Sequence, residues 1–121
     1  MKKCLVVDDV EVSRYTNQMF LEDMGYDVVE AHDSQSCMAA LGGGGVNLIL
    51  LDWHLKKENG LDLLKQIRGS SHGGTVPVIV ISGVEGMDKA QEALSAGANS
   101  FMTKPTTREK LEAELKKVGA L

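Results

Sequence analysis

Five short apolar runs alternate with stretches of helical spacing along the 121 residues, and this alternation limits the fold more than any other feature of the chain. The runs cover residues 4–7, 27–31, 47–51, 76–81 and 100–102; the helical stretches cover 10–24, 34–41, 59–68, 87–96 and 106–118. Apolar faces at helical spacing are Phe20, Leu21 and Met24, then Met38 and Leu41, then Leu63, Leu64 and Ile67, and finally Leu111, Leu115 and Val118. The first half of the first helix is more polar. A strand, a helix and a further strand make the unit of a parallel crossover sheet. The runs at 47–51 and 76–81 are apolar without alternation, as strands covered on both faces must be. Pro77 falls near the start of the fourth run, where proline is tolerated. The pattern predicts one α/β domain over residues 1–121, a doubly wound parallel sheet of five strands.

In an open α/β sheet, ligands gather beyond the carboxyl ends of the strands. The first run ends in Asp8-Asp9, the third in Asp52, the fourth in Ser82 and the fifth in Thr103-Lys104-Pro105. Three carboxylates in one cleft repel one another and raise one another's pKa values, a conflict that a divalent cation removes. Mg²⁺ takes about six hard oxygen ligands and keeps some waters. Two acidic side chains, a backbone carbonyl, waters and a phosphoryl oxygen fill such a shell and leave one carboxylate to attack phosphorus. Lys104 and the cation supply positive charge, and the Ser82 hydroxyl donates to one phosphoryl oxygen. The predicted chemistry is phosphoryl transfer to a carboxylate.

Each of these residues also has a structural reading. Asp8-Asp9 can cap the helix that starts at Val10, Asp52 can be a turn residue, Ser82 a loop or cap residue, and Lys104 a solvated lysine. Phe101 in a short strand reads equally as core. The run Gly42-Gly43-Gly44-Gly45 lacks the Gly-Lys-Ser/Thr ending of a phosphate loop and follows a helix, so it is read as a helix-to-strand loop. Cys4 and Cys37 lie in a predicted strand and helix without Cys-x-x-Cys spacing, which predicts two buried thiols in a reducing cytoplasm. The net charge of −4 argues against bulk binding to nucleic acid or anionic membrane. No apolar run approaches the length of a membrane span. Met1-Lys2-Lys3 leads straight into a strand, so no secretory leader is expected.

Asp8-Asp9, Asp52, Ser82 and Lys104-Pro105, in that order along the whole chain, resemble the signature of the response-regulator receiver domain; Ala93-Leu-Ser-Ala-Gly-Ala98 also has that family's look. The resemblance is to the stand-alone chemotaxis type, and Lys-Lys-Cys-Leu-Val-Val-Asp-Asp and Leu-Asp-Trp are similar to it in detail. It implies a flavodoxin-like (βα)5 fold with strand order 2-1-3-4-5. It implies that Asp52 is the phosphoacceptor, and that Asp8, Asp9, Asp52 and the backbone carbonyl of His54 hold Mg²⁺. Lys104 would pair with the phosphoryl group across a cis bond to Pro105. Ser82 and Phe101 would be the hydroxyl and aromatic pair that rearrange, and His54 and Val84 the positions that tune the phosphorylated state. Implied partners are a sensor histidine kinase or histidine phosphotransfer protein as donor and a protein output target. The switched face would span residues 87–118. Because the chain ends just after the fifth helix, output is expected through a partner or by draining phosphate from a relay.

The sequence departs from the family pattern after the acceptor. Leu55-Lys56 stands where a Met-Pro pair is usual, so the loop 53–59 is expected to be less rigid. Gly60 keeps the usual glycine, Gly83 stands where alanine is commoner, and Ser82 replaces threonine while keeping the hydroxyl. His54 reads either as an exposed histidine or as a group that sets the phosphoryl lifetime by reaching the attacking water. Trp53 is expected to pack over the loop. A phosphorylation-independent pseudo-receiver remains the rival reading. An aspartyl phosphatase is disfavoured because its usual second acid would stand at His54, and a flavin protein because no phosphate loop follows the first run.

Overall fold

The computed structural model describes residues 2–83 and 87–121, the side chains of Met87 and Asp88 excepted. In chain order the elements are β1 (Lys2–Val7), α1 (Glu11–Asp23), β2 (Tyr26–Ala31), α2 (Ser34–Gly42), β3 (Val46–Asp52), α3 (Gly60–Arg68), β4 (Val78–Ser82), α4 (Met87–Ser95), β5 (Ser100–Thr103) and α5 (Arg108–Lys117). The five strands are all parallel and lie in the order β2-β1-β3-β4-β5. This is the flavodoxin-like arrangement that the resemblance implies.

Side chains alternate across a strand, and the alternation sorts the interior into two layers. Leu5, Val7, Ile49, Leu51, Val78 and Val80 pack with Cys37 and Leu41 of α2, with Leu63, Leu64 and Ile67 of α3, and with Ala93 of α4. The intervening Cys4, Val6, Leu48, Leu50, Ile79 and Ile81 pack with Leu21 of α1 and with Leu111 and Leu115 of α5. Both faces of β1, β3 and β4 are therefore covered, which is why residues 4–7, 48–51 and 78–81 are apolar without alternation. Cys4 and Cys37 are free and buried. Burial raises both thiol pKa values, that of Cys37 to about 12, so neither is a thiolate at neutral pH.

Local chemistry sets the element ends. Asp33 and Ser36 form a capping box at α2, Asn59 accepts from the Leu61 amide at α3, and Thr107 accepts from the Lys110 amide at α5. The alternative reading of Asp8-Asp9 as the cap of α1 does not hold. Val10 is the N-cap residue without a side-chain cap bond. Asp8 accepts from the Val10 amide at 2.9 Å, and Asp9 turns away to accept from the Lys56 amide at 2.5 Å. β4 begins at Val78, two residues later than predicted, because the Val76 carbonyl accepts from Arg68 Nη1 at 2.6 Å. Gly44 and Gly45 take φ of +75° and +79°, the left-handed region glycine permits, and join α2 to β3 as a turn.

Candidate functional site

Register brings the predicted site residues together. Val7 pairs with Leu51 across β1 and β3, so the next residues, Asp8 and Asp52, emerge side by side at the carboxyl edge. Asp52 pairs with Ile81, and Ser82 pairs with Thr103, which delivers Lys104 to the same edge. Asp8, Asp52 and Ser82 are buried there, while Asp9 is half-buried. Each carboxylate of Asp8, Asp9 and Asp52 offers an oxygen within 4.8 Å of the others. Lys104 Nζ lies 3.3 Å from Asp52 Oδ2, and the Lys104 amide donates to the Ser82 carbonyl at 2.8 Å. The Lys104–Pro105 bond is cis. The His54 amide donates to Asp52 Oδ1 at 3.1 Å, and His54 Nε2 lies 3.1 Å from Ser82 Oγ.

The electrostatics follow from that packing. Burial pushes the Asp8 carboxyl up to about 6, and the neighbouring Asp52 charge adds to the rise. The Val10 amide and Lys104 pull it the other way. One ammonium does not offset three carboxylates. The hard oxygen donors and their unrelieved repulsion fit a small divalent cation, with Asp8, Asp9 and Asp52 as the carboxylates that could hold it. The sign of the pH effect is fixed by the direction of the Asp8 shift. The folded protein keeps a proton that the unfolded chain releases near the ordinary carboxylate pKa, so metal-free stability falls as pH rises from about 4 to about 6. Thermal melts across that window should show this slope in wild type and a shallower one in Asp8→Asn. At pH 7.5 the Asp8→Asn protein should melt higher than wild type without Mg²⁺ and gain less from its addition. Equal slopes for the two proteins would remove this account.

The loop after the acceptor, where the usual proline is missing, is held at several points. Glu58 accepts from the Ser34 amide at 2.8 Å and from the Ser34 hydroxyl, tying the loop to the start of α2. His54 and Asn59 form an antiparallel bridge, and the Gly60 amide donates to the Trp53 carbonyl at 3.1 Å. A Cβ at Gly60 would stand 2.6 Å from that carbonyl oxygen, so only glycine fits the return of the loop into α3. Trp53 does not cover the loop from outside but is buried beneath it with Leu55 and Leu63. Phe101 is half-buried against the same core. Val84 lies outside the described residues.

Two features escaped the sequence reading. The Glu58–Ser34 tie joins residues 24 apart and leaves no local signal. On α1, Val12, Tyr15 and Met19 are 74%, 60% and 52% exposed. They recur at i, i+3 and i+7, a stripe opposite the buried face that begins in the half of the helix read as more polar. The groove between this helix and the Lys104–Pro105 turn is lined by Val12, Thr16, Asn17 and Thr106.

Residues 4–116 match the response regulator receiver domain family. The chain belongs to that family. It is similar to the chemotaxis protein CheY of Pseudomonas aeruginosa, 29% identical over 117 residues that cover 96% of this chain and 94% of that protein. It is likewise similar to the chemotaxis protein CheY-3 of Vibrio cholerae, with 32% identity over 96% of this chain and 90% of that one. Among solved structures, the chemotaxis protein CheY4 of Vibrio cholerae superposes with a TM-score of 0.91 at 28% identity, covering 98% of both chains. A response regulator of Burkholderia pseudomallei, solved with a phosphorylated aspartic acid, a calcium ion and citrate, gives 0.85 at 29% identity over 93% of this chain and 65% of that one. Receiver domains of this type act as signalling switches in two-component signal transduction. Among the described residues, no helix of this receiver domain is long and apolar enough to cross a membrane.

Proposed function

We propose that this receiver domain takes a phosphoryl group from a phosphohistidine onto Asp52 and thereby changes the face through which it meets a protein target. The observation that carries the reading is the buried Asp52 carboxylate held between the Asp8-Asp9 pair and Lys104 Nζ, with the Ser82 hydroxyl at the neighbouring strand end. The Burkholderia relative with its phosphorylated aspartate and divalent ion supports it. In the reaction, an Asp52 carboxylate oxygen attacks phosphorus as the bond to the donor imidazole nitrogen breaks and its electron pair returns to the ring. Lys104 stabilises charge on the equatorial oxygens and Ser82 donates to one of them. Mg²⁺ at Asp8, Asp9, Asp52 and the His54 carbonyl would neutralise the carboxylates and the transferring group.

The exposed stripe Val12, Tyr15 and Met19, whose first residue lines the groove beside Lys104 and Pro105, suits an apolar contact with the donor helix. Movement of Ser82 towards the acyl phosphate would leave space that Phe101 can follow, altering α4, β5 and α5. The free buried thiols suit a reducing cytoplasm. Incubation with Mg²⁺ and acetyl phosphate, followed by intact mass measurement, tests the proposal. One added phosphoryl mass that EDTA abolishes is expected. A protein that binds Mg²⁺ yet takes no phosphoryl from acetyl phosphate or a phosphohistidine donor is a partner-binding module instead.

A further inference from the structure

Resting on the phosphoacceptor reading, we infer that His54 is a latch on the switch hydroxyl, its Nε2 engaging Ser82 Oγ in the unphosphorylated protein and delaying the capture of a phosphoryl oxygen by Ser82. The two atoms are 3.1 Å apart, within ordinary hydrogen-bond range. Ser82 closes β4 and is 0% exposed, so its hydroxyl proton goes to a protein partner rather than to bulk water. The His54 backbone cannot follow the side chain away. Its amide donates to Asp52 Oδ1, and its residue pairs with Asn59 across the loop. The ring therefore reaches Ser82 from an anchored backbone, and side-chain rotation is what breaks its contact with the hydroxyl.

The step is an exchange of one hydrogen bond. With the ring proton on Nδ1, Nε2 accepts from Ser82 Oγ–H; that bond breaks, one from Ser82 Oγ–H to a phosphoryl oxygen on Asp52 forms, and no proton leaves the hydroxyl. The exposed imidazole then turns into solvent, where water satisfies it. The bond given up is of ordinary net strength, so it holds back the active arrangement by about fivefold. His54 is thus a positioning residue that acts through Ser82, which is a different role from orienting an attacking water.

The test uses beryllium fluoride with Mg²⁺ as the phosphoryl analogue and the fluorescence of Trp53, which is buried next to the acceptor. Half-saturation is compared for wild type, His54→Ala, His54→Phe, Ser82→Ala and the His54→Ala/Ser82→Ala pair. The latch predicts about fivefold tighter uptake in both His54 variants, and no effect of His54→Ala once Ser82 is alanine. Phenylalanine keeps the ring volume without the nitrogen, so agreement between the two variants rules out a packing effect. Unchanged or weaker uptake in His54→Ala, or the same gain in the Ser82→Ala background, overturns the latch and leaves the acceptor reading intact. A wild type indistinguishable from Asp52→Asn overturns both.

Discussion

The Asp52→Asn protein is expected to gain no phosphoryl mass from acetyl phosphate under conditions that fully label wild type. The fall in rate should be at least about a hundredfold, or about 2.7 kcal/mol of barrier. An amide has no anionic oxygen to attack phosphorus, whereas it still accepts the His54 amide and preserves the local fold. Two other carboxylates lie within 4.8 Å and in principle offer a substitute nucleophile. Each has one oxygen engaged by a backbone amide, Asp8 by that of Val10 and Asp9 by that of Lys56. Lys104 is aligned on Asp52. A variant that still gains mass at a wild-type rate would move the acceptor to Asp8 or Asp9, and peptide mapping would say which.

Arg68→Ala should produce a large loss of stability while leaving the phosphoryl chemistry untouched. The guanidinium donates to the carbonyls of Gly73, Val76 and Gly97 and to Asn99 Oδ1 at 2.6–2.9 Å. It ties the α3–β4 connection to the α4–β5 connection at the amino ends of β4 and β5, the edge opposite Asp52. Alanine leaves several half-buried carbonyls without a donor, at a net cost of about 3 kcal/mol. For a chain of this size that is about 10 °C in Tm. Arg68→Lys should recover less than half, because one ammonium cannot reach both connections as a planar fork does. Denaturant unfolding measures the loss, and phosphoryl uptake below the melting transition should match wild type. A change of under about 0.5 kcal/mol, the range of ordinary surface substitutions, would show that water replaces these bonds at little cost.

Much of the fold was readable in the chain because it depends on periodicity. Alternating faces must be apolar in buried strands, so residues 47–51 and 76–81 announced themselves. The strand ends at Asp8, Asp52, Ser82 and Lys104 could be named for the same reason, since a parallel sheet carries every strand's carboxyl end to one edge. The order of the strands came from family resemblance, not from the pattern itself. The start of β4 was misjudged because Arg68 takes the Val76 carbonyl, a contact that needs α3 already packed.

The sequence by itself determined which groups meet: three carboxylates, a hydroxyl and an ammonium at the edge of a five-stranded sheet. Only the tertiary structure decided how each is used. Asp9 turns to the Lys56 amide 47 residues away, Glu58 anchors the loop that lacks the usual proline, and His54 reaches Ser82 across 28 residues. Such pairings arise where loops from different strands converge, and no local period encodes them. The raised Asp8 carboxyl has the same origin, since burial and a neighbouring charge exist only once β1 and β3 stand side by side.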